Sequence, residues 1–459
     1  MQSKPGAQAA LSAPLAEIAL AHSEAADRLR FEAETYRKAL RRLLPLLFVC
    51  YVFNYLDRIN IGYAQLQMKP DLGFSDAMYG LGASMFYVGY LFFEIPSNLL
   101  MQKIGARKTL LRIMFLWGIT SAATMFVKSP YGFYTVRFLL GVFEGGFFPG
   151  IVLYLTLWFP PARRARAIAI FMSAGVTAGV IAGPLSGWMI HHLDQVSGLR
   201  GWQWMYVLQG LPSSLLGIAA FLWLPDRPQH AGWLTPAQRN LIVAQQSAAA
   251  PTNNSTHHGL IAALRHPSLL TLAYLYFALN CGVYTLSFWA PSMIQGLGVT
   301  NIQHIGLYSL VPYSLGAVAM LVVGRRSDAL GTHRGHFTAA IGLAALGLAA
   351  TTLTPHMLWQ SLALLSLSTM GLVSALPVFW AVATAALPKE AAPAGIAAIT
   401  TISGIAGAVC PAAVGFIKTL SGSLDIGLYC IALLLASGAV VMLRRGSILA
   451  GPARRALED

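Results

Sequence analysis

The chain contains LLPLLFVCYVFNYLDRINIGYA at residues 43–64 and FYTVRFLLGVFEGGFFPGIVLYLTLWF at residues 133–159, two stretches long and apolar enough to cross a lipid bilayer as helices. Together they carry four ionisable side chains, Asp57, Arg58, Arg137 and Glu144. A charge at the centre of a membrane helix opposes insertion by about 2.5 to 3.5 kcal/mol, so such residues normally face a bundle interior or a water-filled path. The four charges therefore indicate a transport path.

Composition indicates that the chain is a membrane protein. Hydrophobic residues make up 56% of the 459 residues, charged residues only 10%, and the mean hydropathy is +0.60. A single soluble core cannot accommodate these values without exposing apolar surface. We predict an all-α polytopic membrane protein with twelve transmembrane helices, whose apolar runs lie at residues 42–64, 78–102, 109–127, 131–159, 166–190, 203–225, 268–296, 302–323, 336–353, 358–386, 393–417 and 426–443.

The positive charges lie on one side of this predicted bundle. The net charge is +14, and 25 of the 31 Lys and Arg residues fall in the two tails and in alternate loops. The opposite loops hold only Lys69, Lys128, Arg200 and Lys418. This positive-inside asymmetry predicts a multi-pass protein of the cytoplasmic (inner) membrane with both termini cytoplasmic, and it explains the basic composition without nucleic-acid binding.

No motif of an enzyme or of a metal site accompanies these spans. The first 40 residues lack the uninterrupted apolar centre of a signal peptide, and the four cysteines lack paired spacing. A Gly-rich phosphate loop, a zinc-protease motif and a serine nucleophile elbow are all missing from the sequence. We therefore predict neither enzymatic activity nor a cofactor.

An internal repeat predicts the architecture. The second and eighth spans match at a constant offset of 226 residues, with Gly80, Tyr87 and Gly105 opposite Gly306, Tyr313 and Gly331. A duplicated carrier binds its substrate near the midplane, between the halves. The predicted organisation is a cytosolic tail (1–40), an N-terminal six-helix bundle (41–225), a central cytoplasmic loop (226–266), a C-terminal six-helix bundle (267–445) and a cytosolic tail (446–459).

Five motifs in order resemble the major facilitator superfamily and, within it, the anion:cation symporter family. They are NYLDRINIGYA (54–64), FFEIPSNLLMQKIGARK (92–108), RFLLGVFEGGFFPG (137–150), GRRSDALGTHR (324–334) and AGIAAITTISG (394–404). The third is most similar to the branch of tartrate, phthalate and hydroxyphenylacetate carriers. The resemblance implies the major facilitator fold, two pseudo-symmetric six-helix bundles that transport by alternating access.

Helix geometry gives the four charges a role of their own. Arg137 and Glu144 are seven residues apart, which places them on nearly the same face about 10 Å apart along the axis. Asp57 and Arg58 point about 100° apart, so one can pair with a neighbouring helix while the other faces the cavity. With both acids ionised the charges sum to zero, and protonating one acid leaves a net positive charge that a carboxylate can neutralise. Proton and organic anion then bind interdependently, which predicts cotransport.

The resemblance assigns matching roles. It implies that Arg58 anchors the substrate carboxylate, that Asp57 and Glu144 are the protonatable coupling residues, and that Arg137 tunes them. The alternative is a static ion-pair network that only fixes the packing of the first and fourth spans. For Glu94, a fifth intramembrane acid, we expect a structural contact with a nearby backbone group or hydroxyl.

The second half has no charged residue within its central spans, so it should contribute shape and hydrogen bonds. The candidate substrate-binding residues, besides Arg58, are Tyr55, Tyr90, Asn280, Tyr284, Trp380 and Thr400. Asn280 and Tyr284 rest on their placement alone, and the others on the resemblance. Sugar-acid carriers of the family have Asn in place of Thr400 and hydroxyl residues near Trp380. Their absence here favours a small carboxylate with few hydroxyls, aromatic or dicarboxylate, over a hexonate.

Two further sets of residues have structural roles. The glycine ladder of the fifth span, Gly175, Gly179, Gly183 and Gly187, predicts close helix packing. The resemblance implies a cytoplasmic latch formed by Gly105, Arg107, Lys108, Asp328 and Arg334. Gln102 replaces the usual acid in the first half, so the latch is better supported in the second.

The sequence thus predicts a monomeric proton-coupled symporter that imports a small organic carboxylate, with protons as the coupling ion. Two alternatives stay open. One is a proton-coupled antiporter of the same fold that exports its substrate, and the other is a carboxylate sensor that does not transport.

Overall fold

A computed structural model describes the backbone of residues 6–248, 267–354, 357–387 and 392–445. These segments are helical and contain no strand, so the predicted all-α class is confirmed. The helices are α1 (Gly6–Leu72), α2 (Asp76–Ile104), α3 (Ala106–Ala123), α4 (Pro130–Glu144), α5 (Phe147–Trp158), α6 (Pro161–His192), α7 (Gly201–Trp223), α8 (Pro236–Ala248), α9 (Pro267–Gly296), α10 (Ile302–Leu330), α11 (His333–Thr351), α12 (Leu358–Ala386), α13 (Ala392–Ser421) and α14 (Asp425–Arg445).

Ten segments in the described part of the chain are long and apolar enough to cross a membrane, with α4 and α5 counted as one. The second and ninth predicted spans correspond to α2 and α11, which are less apolar because they include charged residues or histidines. The first span is longer than expected, since α1 continues without a break from Gly6 through the predicted tail. Residues 249–266 of the predicted central loop and all of the predicted C-terminal tail lie outside the described residues.

The predicted fourth span, 131–159, is two helices instead of one. α4 ends at Glu144, and Gly146 has a φ of 93°, a left-handed conformation that glycine adopts without strain. A Cβ at Gly146 would lie 2.6 Å from the Ser97 hydroxyl, and one at Gly141 would lie 1.9 Å from the Phe86 carbonyl oxygen. Glycine therefore breaks this span at Glu144 and allows it to pack directly against α2.

The internal repeat is visible in the helix bounds. α2 and α10 each have 29 residues, and both ends of α10 lie 226 residues after those of α2. Each helix is followed by a glycine with positive φ, 87° at Gly105 and 61° at Gly331. The halves therefore repeat the helix length and the positive φ at corresponding positions, as the constant sequence offset predicted, although ψ differs, 167° at Gly105 and 20° at Gly331.

The largest contacts between the halves are those of α2 with α13 and of α6 with α10, and α1 also packs on α9. A Cβ at Gly183 would lie 2.5 Å from the Gly306 carbonyl oxygen, and one at Gly187 would lie 2.8 Å from that of Ile302. The predicted packing role of these glycines is confirmed. Gly175, in the same ladder, instead faces the Tyr51 and Tyr55 rings.

The contacts between α2 and α13 are confined to one side. We call the side of residues 103–108, 163–166 and 325–326 the basic side. Away from it, Gly80 packs on the Pro411 backbone, and Gly404 packs on Leu91. Nearer the basic side, Thr400 of the same α13 face is exposed, and so is Gln102 of α2. The halves are therefore closed at the opposite side and separated toward the basic side.

Candidate functional site

Arg58 and Glu144 form an ion pair between α1 and α4. Arg58 Nε donates to Glu144 Oε1 at 2.5 Å. The Arg58 guanidinium lies over the Tyr90 ring at 5.0 Å and over the Phe86 ring at 5.7 Å. The Arg58 side chain is 18% exposed, whereas that of Glu144 is 0% exposed. Arg58 is thus the member of the charged quartet that reaches accessible surface, and it covers a fully buried acid.

Asp57 points to a different neighbour. Its Oδ2 accepts a hydrogen bond from Trp117 Nε1 at 2.5 Å, and its Oδ1 accepts from Ser121 Oγ at 2.8 Å and from Asn60 Nδ2 at 3.1 Å. The side chain is buried within the first half. The expectation that Asp57 and Arg58 contact different surroundings is confirmed, with Asp57 on α3 and Arg58 toward accessible space.

Arg137 is fully buried and stays apart from Glu144. Its guanidinium lies 5.0 Å from the centre of the Phe86 ring, and its three side-chain nitrogens have no hydrogen-bond partner among the described residues. Glu144 pairs with Arg58 instead, so an Arg137–Glu144 pair within α4 does not form. The Phe86 ring lies beside both guanidiniums. This stacking fixes the two cations around one ring and leaves Arg137 with unused donors.

Further buried polar atoms lie near this pair without a partner. They are Glu144 Oε2, Arg58 Nη2, and both Oδ1 and Nδ2 of Asn54. Buried polar groups in folded proteins are nearly always satisfied, and exceptions require an explanation. Here the unused donors belong to two arginines and an amide, which are the groups that recognise a carboxylate.

An aromatic wall continues the site across to the second half. Tyr284 of α9 packs on Tyr87 of α2, with ring centres 4.7 Å apart. Tyr276 stacks on Phe379 at 4.6 Å and meets the Trp380 ring edge-on at 5.0 Å. Both candidate residues therefore belong to this wall, Tyr284 through Tyr87 and Trp380 through Tyr276.

The remaining candidates are placed less uniformly. Tyr90 carries the Arg58 guanidinium, Tyr55 packs on Tyr51 at 6.3 Å, and Asn280 lies beside Tyr276. The Thr400 hydroxyl donates to the carbonyls of its own helix, at 3.0 Å to Ile396 O and 2.9 Å to Ala397 O. Thr400 therefore lines the separation between the halves with its donor already used.

Sequence reasoning missed several members of this site, which are Asn54, Phe86, Tyr87, Trp117, Ser121 and Tyr276. One signal could have indicated two of them. Trp117 and Ser121 are four residues apart in a predicted span, so they place two hydrogen-bond donors on one face of an otherwise apolar helix.

Glu94 does not make the structural contact that we expected. Its carboxylate has no hydrogen bond or ion pair among the described residues, although its backbone carbonyl accepts from Asn98 Nδ2 at 2.8 Å. The side chain is half-buried and faces the charge of Arg58. The expectation of a backbone or hydroxyl partner is therefore wrong.

The latch residues of the first half contact their own half. Arg107 N donates to Asp226 Oδ1 at 2.9 Å, and Arg107 Nε donates to the Phe221 carbonyl at 2.8 Å. Gly105 faces the Asp226 carboxylate, which a Cβ would approach to 2.7 Å. Asp226 was missed by sequence reasoning, which looked for the acid at position 102. It directly follows the sixth predicted span, in the string LPDRP.

In the second half, Asp328 is exposed and lies 3.9 Å from His333 Nδ1, while Arg334 is half-buried. Lys108 is exposed. The recorded latch contacts of Arg107 and Asp328 therefore stay within one half each, as the separation on the basic side requires.

Known proteins resemble this chain along most of its length. The sequence model of the Major Facilitator Superfamily matches residues 47–411. The chain is 40% identical over 412 residues to an Agrobacterium vitis protein named "Putative tartrate transporter", covering 90% of this chain and 94% of that one. It is 36% identical over 417 residues to the "Quinolone resistance transporter" of Acinetobacter baumannii, covering 90% of this chain and 94% of that one.

Among solved structures, the backbone is similar to that of a bacterial homolog to the human lysosomal transporter Spinster in an inward-facing and unoccupied conformation. The TM-score is 0.70 at 17% identity, covering 90% of this chain and 96% of that chain. At this identity the likeness concerns the fold, and it confirms the twelve-helix architecture.

Proposed function

Because the chain belongs to the Major Facilitator Superfamily, in its anion:cation symporter-like branch, we propose that it is a proton-coupled symporter that imports a small organic carboxylate. Proteins of this family are transporters and not enzymes, so the chain is a multi-pass membrane transporter. The Arg58–Glu144 pair carries the proposal, because it places a cation that can bind substrate directly on a buried acid that can bind a proton.

The pair makes substrate and proton interdependent. While Glu144 is ionised, it occupies Arg58 Nε and neutralises the guanidinium. A proton on Glu144 removes that charge and leaves Arg58 with an uncompensated positive charge beside accessible space. A substrate carboxylate can then take the place of Glu144 on the guanidinium. Linkage requires that the bound anion in turn strengthens protonation, which is the thermodynamic basis of symport.

Arg137 strengthens this coupling from the buried side. It is fully buried and without a hydrogen-bond partner in the described part of the chain. An isolated cation in a low-dielectric interior is costly unless anions lie nearby. Two buried carboxylates, Asp57 and Glu144, balance the two arginines when ionised, and an arriving carboxylate replaces the charge of Glu144 when Glu144 is protonated. Arg137 therefore favours one bound negative charge in either state.

The aromatic wall favours a flat or compact substrate. Tyr87, Tyr276, Tyr284 and Trp380 offer ring faces with three phenol hydroxyls and one indole N–H, fewer polar groups than a polyol needs to replace its bonds to water. The name of the Agrobacterium vitis relative supports a dicarboxylate. We propose a monocarboxylate or dicarboxylate with few hydroxyls, aromatic acids included.

The orientation follows from the charges. With the basic side in the cytoplasm, both termini are cytoplasmic, and the separation between the halves opens inward. Substrate release would then occur toward the basic side, and the contacts between Gly80 and Pro411 would have to open for loading from outside. The protein is proposed to act as a monomer in the cytoplasmic membrane, with no cofactor besides protons.

Glu144→Gln in proteoliposomes tests the proposal. We expect the wild type to accumulate a labelled aromatic acid or dicarboxylate when a pH gradient, acid outside, is imposed. The variant should exchange substrate across the membrane at equal concentrations but lose gradient-driven accumulation. Glu94→Gln is the matched control and should accumulate normally. Unchanged accumulation by Glu144→Gln would show that Glu144 is not the coupling acid.

A second candidate function is proton-coupled export, which the name of the Acinetobacter baumannii relative favours. The same vesicles distinguish the two functions by the direction of the proton current. Substrate added outside, without a gradient, should drive protons inward with a symporter and outward with an antiporter.

A further inference from the structure

A groove lies between α1 and α6 on the basic side, far along α1 from Arg58. It has a volume of about 470 Å³. At one end its walls carry three arginines, Arg37, Arg41 and Arg166. The rest of its lining is mainly apolar and includes Leu44, Phe48 and Ile170. The groove therefore changes from cationic to apolar along its length.

The three arginines are not neutralised by nearby acids. No acidic side chain lines the groove, and none of the three arginines has a recorded hydrogen bond or ion pair with another described residue. Glu32, the acid of the adjoining cavity, is paired with Arg163 at 3.1 Å. Glu34 shares a shallow depression with Arg37, Arg41 and two further basic residues, so the charge there is strongly positive as well.

The groove opens to the surroundings of the bundle and not to the space between the halves. On α6, Arg166, Ile170, Ile181 and Trp188 form one stripe, because their spacings of four, eleven and seven residues are each close to a whole number of helical turns. These apolar members are exposed by 38%, 37% and 46%. The face that packs on the second half, with Gly183, lies about 100° to 160° from the members of this stripe around the helix. The stripe is thus lipid-facing, with Arg166 at its basic end.

We propose that this groove binds one anionic phospholipid. Its phosphate would lie among Arg37, Arg41 and Arg166, and an acyl chain would run over Leu44, Phe48 and Ile170. Arginines at the end of an apolar membrane surface attract anionic headgroups, and their stems cover apolar area. The lipid would bridge α1, which carries Arg58, to α6, which packs on the second half. A bound lipid is therefore expected to stabilise the protein as well as bind to it.

Native mass spectrometry and thermal unfolding of the purified full-length protein test the site with phosphatidylglycerol and phosphatidylcholine of equal chain length. We expect phosphatidylglycerol to bind at least tenfold more tightly and to raise the Tm more. The triple change Arg37→Gln, Arg41→Gln, Arg166→Gln should remove this preference. The control Arg325→Gln, Arg326→Gln, which removes exposed arginines from the second half, should retain it.

The apolar part of the groove has its own test. Ile170→Gln should weaken long-chain phosphatidylglycerol several-fold and leave a short-chain analogue unaffected. If glycerol phosphate at millimolar concentration displaces phosphatidylglycerol completely, the arginines bind free anions and the lipid site is wrong. Equal binding of both lipids, or undiminished preference in the triple variant, would also overturn the proposal.

Discussion

Asp57 and Glu144 are two equally buried acids of the first half with opposite kinds of partner. Asp57 accepts hydrogen bonds from three neutral donors, Trp117, Ser121 and Asn60, so both of its oxygens are occupied. Glu144 accepts a bond on one oxygen from Arg58, and its Oε2 has no partner among the described residues. Burial alone does not separate them, because their exposed fractions are 1% and 0%.

The difference lies in what a proton or a substrate would displace. A proton on Asp57 would convert one carboxylate oxygen from an acceptor into an O–H donor. One of the three donors that face Asp57 would then lose its acceptor in a dry interior. A proton on Glu144 releases an arginine that reaches accessible surface and can bind another anion. Two equally buried acids thus differ in whether the hydrogen-bond partner is itself accessible. An acid whose partner is accessible can exchange that partner for a substrate anion. Of the two acids predicted to couple proton and substrate, we therefore propose that Glu144 binds the transported proton and that Asp57 has an orienting role.

The largest expected effect is that of Arg58→Gln. It removes the cation from Glu144 and the anchor from the substrate, and breaking one side of a buried pair costs about 3 to 5 kcal/mol. We expect binding of the carboxylate to weaken by more than about 100-fold, measured by substrate-induced change in Tm. Arg58→Lys keeps the charge but loses the Nε–H, so binding should be partly recovered. Full affinity in Arg58→Gln would mean that the substrate binds elsewhere.

The two acids should respond differently to neutralisation. Asp57→Asn places an amide group against one of its hydrogen-bond donors, so we expect stability to fall by about 1 to 3 kcal/mol while the pH dependence of binding is retained. Glu144→Gln leaves Arg58 and the buried Arg137 without this counter-charge, so stability should also fall, but here the pH dependence of binding should be abolished. Thermal unfolding and substrate titration at two pH values measure both. If Asp57→Asn abolished the pH dependence, the assignment of coupling would be reversed.

Sequence alone predicted those features that depend only on helix geometry. Adjacent residues diverge around a helix, so Asp57 and Arg58 had to face different neighbours. The partners across helices could not be predicted in this way, because they depend on which helices touch. Trp117 and Ser121 reach Asp57 since α3 packs beside α1. Glu144 meets Arg58 and not Arg137 since seven residues along a helix separate two charges by about 10 Å.

The fold was more predictable than the site. Length, hydropathy and the 226-residue offset indicated twelve spans in two halves, because a bilayer leaves few alternatives to apolar helices. The break after Glu144 escaped hydropathy, since two glycines lower the apolar signal little. The break depends on the backbone freedom of Gly145 and Gly146. The same two glycines allow α2 to pack closely against this span.

An effect on stability comparable to that of Asp57→Asn is expected from Trp117→Phe, which removes one donor from Asp57 and part of a fully buried ring. A hydrogen bond to a charged group contributes about 1.5 to 3 kcal/mol, so the free energy of unfolding should decrease by an amount in this range. Ser121→Ala, which removes the other α3 donor, is the parallel change. Transport should keep its pH dependence in both variants. If neither change affected stability, the donors would not be holding Asp57, and its distinction from Glu144 would lose its basis.

The smallest expected effect is that of Asp76, a third acid, which pairs with two lysines at the side opposite the basic one. Lys69 of α1 donates to it, and so does Lys418 of α13 at 3.2 Å, which links the two halves at the side opposite the basic one. Burial raises the pKa of Asp76, but the two ammonium groups outweigh burial and hold the pKa below its usual range. The bridge should therefore be complete above the ordinary Asp pKa and be lost only as pH falls through the lowered value.

Asp76→Asn removes this bridge at every pH and tests how far this acid differs from Asp57 and Glu144. Partly exposed pairs contribute about 0 to 1 kcal/mol, so the population opened at that side should rise by a few-fold at most. Spin labels at Val196 and Ile426, exposed positions on that side in the two halves, would report the change as a longer distance. The wild type should show the same lengthening only under strongly acidic conditions. Lengthening between pH 5 and 7 would contradict the lowered pKa and would place a titrating group elsewhere between the halves.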